Sequence, residues 1–532
     1  MALYLLTAAV IIGVCVLFSR VSGKLGIPAL LAFIVLGMLF GSDGIVKIPF
    51  ENYKAAEQLC SIALIFIMFY GGAGINLTEA KKVAVRSVLL SSLGTVFTAA
   101  FVGLFCRFFL KIGVYESFLI GAVICSTDAA SVFSILRSKK LALKYNTASI
   151  LEMESGSNDP FSYMLTVIIL ALMSSNVTAS NMAYMLFSQV VYAVIAGVLI
   201  AYLALFIFKR FSFITEGFDG IFMFAIALLS FALPSLVGGN GYLSTYICGI
   251  ILGNNQIKNK KSLIHFFDGI TGLMQMLLFF LLGLLSFPSQ LGKIAFPALC
   301  IALFLTFIAR PLAVSLILTP AKCSIKQQLL ISWSGMRGAA SIVFAIMTVV
   351  SPAVTDNDIF HIVFFIVLFS ILVQGSLIPF VAKKLDMIDP AGDVMKTFSD
   401  YSDELPVSFI QLTVSDEHHW VGKTLKELNL PRNLIAALIV RDSEKIIPKG
   451  NTILQPSDKL ILCGKSHEKL NGIHLFEHSI SDSDSRCGKR IFEISNPDEL
   501  ILMIKRKNKL IIPDGNTTLS ENDVIITNKY ST

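Results

Sequence analysis

Three short stretches of the 532-residue chain set ionisable and hydroxyl side chains inside otherwise apolar sequence. They are Cys125-Ser-Thr-Asp-Ala-Ala-Ser131, Glu154-Ser-Gly-Ser-Asn-Asp-Pro160 and Ser334-Gly-Met-Arg-Gly-Ala-Ala-Ser341. A charge kept at membrane depth is costly unless it is paired or wet, so each stretch marks a functional candidate. In the second, helical spacing puts Ser155 and Asp159 on one face, with Glu154 and Asn158 one step around. Pro160 has no N–H, so the Gly156 carbonyl loses its helical donor and can join carboxylate and hydroxyl as an oxygen ligand. Ligation by oxygen alone suits a hard cation such as Na⁺ or K⁺, not a soft transition metal. A loop end with a Pro stop fits less well, because Met164–Met173 continues the apolar run.

In the first stretch Asp128 stands among hydroxyls and small residues, which tolerate an interrupted helix and close backbone approach. Two readings are open there: an acid at an ion site in a broken helix, or an Asp capping a kink. In the third stretch Arg337 can scarcely lose its proton and needs an anion or water, and Glu154 is the partner expected. Ala-Ala-Ser recurs at 129–131 and 339–341, as an inverted repeat with paired broken helices would produce. Arg310-Pro311 reads as a charge snorkelling to the interface. Glu152 and His361 fit either a proton relay or helix ends.

The elements that must position these residues follow from composition. Hydrophobic residues make up 55% of the chain and charged ones 15%, with 41 Phe, and mean hydropathy is +0.74. That excludes a water-soluble globule and points to a polytopic α-helical membrane protein. Thirteen apolar stretches before Lys384 are expected to span: 3–22, 27–42, 57–75, 84–107, 115–136, 146–173, 185–208, 217–237, 239–254, 263–286, 294–319, 327–350 and 358–382. Taking the N-terminus as outside, eighteen Lys and Arg fall in inward loops and five in outward ones, which places the C-terminus in the cytoplasm. The net charge of +7 therefore reads as topology rather than as a nucleic-acid partner. The first apolar segment lacks a basic n-region and a cleavage site and reads as a retained helix. Nine scattered Cys show no CxxC pair, so neither disulfides nor a structural metal is expected.

The expected organisation is an exchanger domain at 1–385, a linker at 386–404, a small cytoplasmic α/β domain at 405–470, and a shorter repeat-like α/β segment at 471–532. Strands are expected at Val407–Val414, Ala436–Val440 and Leu460–Cys463, with a helix at Thr424–Leu428. The repeat is carried by Ile446-Ile-Pro-Lys-Gly-Asn-Thr-Ile-Leu454, which returns as Ile511-Ile-Pro-Asp-Gly-Asn-Thr-Thr-Leu519.

Together the three polar stretches resemble the NhaP-type monovalent cation/proton antiporters, in particular the potassium/proton branch linked to cell-volume regulation. The resemblance covers essentially all of 1–385. It implies thirteen helices with inverted repeats, broken helices crossing at spans five and twelve, a homodimer and an inner-membrane location. It also implies that Asp159 is the shared cation and proton carboxylate, that Thr127 and Ser155 add oxygen ligands, with Asp128 and Asn158 beside them, and that Glu154 pairs with Arg337. Many relatives have Pro after the Thr-Asp pair, where this chain has Ala129. Residues 405–470 resemble the TrkA C-terminal (RCK-C-like) domain, which implies either a dimerising tail or one that senses a small ligand such as cyclic di-AMP. No other cofactor is expected, and no GxGxxG fingerprint precedes the domain.

One carboxylate alternating between a proton and a cation gives an antiport cycle by alternating access, and Asn158, where a second Asp would add charge, predicts an electroneutral 1:1 exchange. K⁺ is favoured through the tail resemblance and Na⁺ stays open. A ligand-gated potassium channel would need a Thr-Val-Gly-Tyr-Gly filter, for which Tyr70-Gly-Gly-Ala-Gly74 is a poor substitute. A proton-coupled organic-solute transporter would favour an aromatic-lined site. No nucleophile, base and orienting group form a set, so an enzyme is not expected.

Overall fold

The computed structural model describes the chain apart from residues 1, 26–28, 51, 140, 175–178, 211–216, 256, 258–259, 354, 390–406, 416–417, 429, 432–433, 442–443, 466–474, 482–483, 495–498, 507–508, 512 and 530–532. Most of the expected linker at 386–404 lies outside the described residues. The chain divides into two compact units, Met1–Asp403 and Glu404–Thr532.

The first unit is helical because its apolar runs can satisfy their backbone groups only within a helix once water is absent. Its principal helices are α1 (Ala2–Leu25), α2 (Ala29–Phe40), α3 (Tyr53–Gly74), α4 (Ala84–Phe108), α5 (Val114–Ile124), α6 (Ala129–Ser138), α7 (Thr147–Ser174), α8 (Ala179–Arg210), α9 (Phe218–Leu236) and α10 (Gly241–Gly253). They continue with α11 (Lys260–Leu285), α12 (Leu291–Phe304, extended through Leu305–Ala309 to Arg310–Leu318), α13 (Ile325–Trp333), α14 (Ala339–Val350) and α15 (Ile359–Lys384). Among the described residues, seven helical stretches are long and apolar enough to cross a membrane, within α3, α4, α8, α9, α11, α12 and α15.

Local chemistry sets the ends and irregularities. Asn52, Asn240, Ser324 and Asp358 each accept a backbone N–H three residues on and cap α3, α10, α13 and α15. Inside α4 a wider π turn at Leu90–Gly94 shifts the carbonyl register, and Thr95 and Thr98 hydroxyls donate to the Ser91 and Gly94 carbonyls (both 2.7 Å). Small residues let helices approach backbone to backbone. A Cβ on Gly37 or Gly283 would run into the facing backbone of α11 or α2, and one on Gly249 or Gly253 would run into α3.

Two interruptions organise the unit: Cys125–Asp128 between α5 and α6, and Ser334–Gly338 between α13 and α14. They meet, since the Asp128 N–H donates to the Met336 carbonyl (2.8 Å). At the other end of α6, residues 142–144 form a short antiparallel ladder with 387–389, through Lys144 N–H to the Met387 carbonyl (3.0 Å) and Asp389 N–H to the Ala142 carbonyl (2.9 Å). Lys144 Nζ pairs with Asp386 (3.0 Å), and Met387 is buried against Leu330 of α13 and Ala382. The first residues after α15 are thus held against the loop that joins α6 to α7.

The second unit differs from the expected α/β organisation. Among its described residues the regular elements are strands and two 3₁₀ turns, one of them Leu425–Leu428, where a helix was expected. Strands β1 (Val407–Thr413), β2 (Leu434–Arg441), β3 (Glu444–Ile446) and β4 (Lys459–Lys465) form an antiparallel sheet in the order β1-β4-β2-β3. Strands β5 (Leu475–Ser479), β6 (Glu499–Arg506), β7 (Lys509–Ile511) and β8 (Val524–Lys529) repeat it as β5-β8-β6-β7. The second copy is complete rather than shortened. Val414, Ile439, Leu454 and Leu460 fill the first core and Ile480, Ile504, Leu519 and Ile525 the second. A β-bulge falls at Ala436/Leu438 in one and at Ile501/Met503 in the other.

Candidate functional site

The crossing of the two interruptions frees backbone groups that a continuous helix would have paired, and the sequence supplies their partners. Arg337 Nη1 donates to the carbonyls of Cys125 (2.8 Å) and Ser126 (2.6 Å), and the Ser370 hydroxyl accepts the Arg337 N–H (3.0 Å). Ser126 and Ser341 hydroxyls lie 3.2 Å apart across the crossing. Gly338 passes so close to Asp128 that a Cβ there would collide with the carboxylate side chain. Asp128 itself accepts from the Ser131 N–H (3.2 Å) and hydroxyl (2.5 Å), the geometry of an N-cap on α6. Of the two readings open in the sequence, capping is the one this geometry carries.

Helix α7 packs beside this crossing. Ser155 Oγ donates to the Thr127 carbonyl (2.7 Å), and Asn158 Nδ2 donates to Thr127 Oγ1 (2.6 Å). Thr127, Ser155 and Asn158, which the sequence separates by up to 31 positions, thus form one hydrogen-bonded set. Asp159 sits on the same helix with Ser126 as its hydroxyl neighbour and Asp128 within electrostatic range. Asp159 Oδ1 and Asn158 Oδ1 are both buried acceptors without a protein donor among the described residues. A buried acceptor left without a donor carries its full desolvation cost, so a proton or a cation at these two oxygens would offset it.

The expected ion pair is different from the one observed. Glu154 Oε1 pairs with Arg310 Nη2 at 2.5 Å, with the two side chains 1% and 2% exposed. Arg337 instead spends its hydrogen bonds on the carbonyls of the α5–α6 break. The physical reason is demand: a guanidinium at the crossing is held by freed carbonyls already there, whereas Arg310, buried in α12 rather than snorkelling, has the carboxylate in reach. Sequence reading missed Arg310 and Ser126 as members of this neighbourhood, and the dipeptide Arg310-Pro311 was the signal for the first. Of the two relay candidates, His361 is bound at a helix start. Its Nδ1 lies 2.6 Å from Asp358 and its Nε2 accepts the Phe287 N–H (3.1 Å). Glu152 is half-buried on α7. Among the described residues no group of three His, Cys, Asp or Glu could hold a metal ion.

The sequence profile described as sodium/hydrogen exchanger, transmembrane, matches residues 7–384. The chain belongs to the sodium/hydrogen exchanger family. A second profile, the TrkA-C domain, matches residues 409–469. Among relatives, the chain is 32% identical to a K(+)/H(+) antiporter NhaP2 of Shewanella sp. (strain ANA-3), over 88% of this chain and 83% of that one. It is likewise 32% identical to the K(+)/H(+) antiporter NhaP of Alkalimonas amylolytica, over 87% and 81%. Na(+)/H(+) antiporter 1 of Methanocaldococcus jannaschii is 28% identical over 65% of this chain and 83% of that protein. The fold matches the structure of the sodium proton antiporter MjNhaP1 from Methanocaldococcus jannaschii at pH 8, with a TM-score of 0.64 at 24% identity, covering 72% of this chain and 99% of that one. This exchanger is therefore a multi-pass helical membrane transporter of the cation/proton antiporter class, not an enzyme, followed in sequence by a TrkA-C sheet domain. Membership does not favour the channel or the organic-solute carrier.

Proposed function

We propose that the chain exchanges K⁺ for H⁺, one for one, by alternating access, with Asp159 as the shared carboxylate. The observation that carries this reading is the pair of donorless buried oxygens, Asp159 Oδ1 and Asn158 Oδ1, beside two crossed chain breaks. Thr127 and Ser155 add hydroxyl oxygens to the cation's shell, and Asp128 holds the start of α6 next to it. A carboxylate can carry a proton in one half of the cycle and a cation in the other, and an amide at 158 adds no second charge.

K⁺ is supported by the names of the NhaP and NhaP2 relatives, which align over most of the chain. Na⁺ is a second reading, favoured by the Methanocaldococcus jannaschii relative's name. The reading includes thirteen spans, with α5–α6 and α13–α14 each forming one broken span. It also includes an inner-membrane location with the N-terminus outside and the tail in the cytoplasm, and a homodimer. The tail would act as a regulatory unit, taking a small ligand of the cyclic di-AMP kind.

The test is a pH-dye assay in proteoliposomes. K⁺, Na⁺ or Li⁺ is added to a preset proton gradient, with the parent chain and with Asp159→Asn. K⁺ is expected to collapse the gradient, the variant to be silent while still folded, and an imposed membrane potential to change nothing. A normal rate in Asp159→Asn removes that residue from the role, and a measured current removes the stoichiometry.

A further inference from the structure

Asn240 joins three elements beside the site. Its N–H donates to the Gln189 carbonyl of α8 (3.1 Å), its Oδ1 accepts the Leu243 N–H and caps α10 (3.1 Å), and its Nδ2 donates to the Pro160 carbonyl of α7 (2.8 Å). The residue is 2% exposed, and Pro160 directly follows Asp159. Ser188 Oγ of α8 ties the same turn down again by donating to the Gly238 carbonyl (3.2 Å). The 238–240 turn thus belongs with α8 and α10, whereas the Pro160 carbonyl belongs with the helix that carries the carboxylate.

Two neighbouring contacts across this boundary are ring contacts. Tyr163 of α7 meets Tyr242 of α10 edge to face at 5.0 Å, and the Tyr246 ring covers Gly156. Rings in van der Waals contact can slide past one another in small steps. A buried amide-to-carbonyl bond is directional, and it is either made or broken.

We propose that the Asn240–Pro160 bond is a conformational latch: it holds α7 against α8 and α10 and closes the path to Asp159 from the side of the 238–240 turn. Asn240 is a positioning residue in this role, acting on Asp159 through Pro160. The inference rests on the exchange reading above and adds to it that α7 moves against α8 and α10 during alternating access, because the bond must open when the site faces that side.

Two substitutions separate the latch from the cap. Asn240→Ser keeps a capping oxygen but is too short to reach Pro160, and Asn240→Asp keeps the cap while replacing the donor by an acceptor. K⁺ exchange is measured in right-side-out and everted membrane vesicles for both variants and the parent chain. Loss of one such bond shifts a two-state balance by roughly two- to tenfold. The KM for K⁺ is therefore expected to fall on the face that carries the 238–240 turn and to rise on the opposite face. Constants that stay unchanged or move in the same direction overturn the latch, as does a change in maximal rate alone. If one variant fails to reach the membrane the other decides, and absence of both assigns Asn240 to folding and overturns the latch too. A parent chain that exchanges no cation at all removes the exchange reading itself, which the side-specific constants of an active parent do not.

Discussion

Glu154 and Arg310 show what a single buried charge demands. Each is nearly without solvent exposure, so neither has water to fall back on when its partner is removed. Breaking such a pair from one side costs about 3–5 kcal/mol, whereas replacing both partners costs less. Glu154→Gln and Arg310→Met are each expected to lower the thermal stability of the purified protein sharply, and the double variant to recover part of the loss. The check is a double-mutant cycle by thermal unfolding in detergent, in which simple addition of the two losses would contradict the pair. The same cycle on Glu154 and Arg337 is expected to show weaker coupling, because the hydrogen bonds of Arg337 go to the Cys125 and Ser126 carbonyls.

At the scale of elements, the crossing of the α5–α6 and α13–α14 breaks depends on one position having no side chain. Gly338 lies against the Asp128 carboxylate, which in turn caps α6. Adding a methyl group there forces Asp128 away from Ser131 and moves the start of α6, with overpacking of about 1–3 kcal/mol. Gly338→Ala is accordingly expected to slow exchange and lower stability together. Gly71→Ala is the control, since a Cβ at Gly71 meets nothing within 4 Å and the substitution favours the helix. Equal behaviour of the two variants in the proteoliposome assay and in thermal unfolding would show that the crossing does not need the glycine.

The whole molecule adds a duplicated sheet unit whose two copies use one device. Asp458 is fully buried and accepts from Arg441 Nε and Nη2 (both 2.8 Å) and from the Gln455 N–H (2.8 Å). Asp523 does the same with Arg506 and the Ser520 N–H. Hydrogen bonds from these arginines hold both carboxyls below the usual carboxylate range. A carboxyl lowered in the folded state stays charged where the unfolded chain has begun to bind protons. The stability it contributes is therefore present above about pH 4, the ordinary aspartate value, and is lost as pH falls through the folded one. The tail is expected to melt progressively earlier below about pH 4. Arg441→Met, which strips the buried carboxylate of two bonds, is expected to cost roughly 1.5–3 kcal/mol at neutral pH. Thermal unfolding followed by Trp420 fluorescence in a Trp333→Phe background checks both, and a melting curve indifferent to acid would refute the role of the pair.

Sequence alone determined the class of molecule and nominated the neighbourhood of the proposed site. Apolar length and loop charge are properties of composition along the chain, and a carboxylate, an amide and hydroxyls at helical spacing on 154–159 nominate an oxygen site that the local spacing carries wherever that helix packs. The internal echo at 446–454 and 511–519 likewise announced two copies of one unit, although strand pairing was needed to show that the second is complete. What tertiary structure decided was partnership. Arg310 and Arg337 are equally cationic in the sequence, and only the fold shows that Arg337 Nη1 turns to the freed carbonyls of Cys125 and Ser126 while Glu154 pairs with Arg310. Asp128 is equally a ligand or a cap in the sequence, and only the fold shows that it accepts from Ser131 at the start of α6. Asn240 carried no signal at all, because its importance lies in a contact 80 residues away with the carbonyl next to Asp159. Spacing along a helix is local geometry and survives in sequence. Contacts between helices depend on how far their backbones approach and on which polar groups remain unpaired once they have, and those quantities exist only in the folded chain.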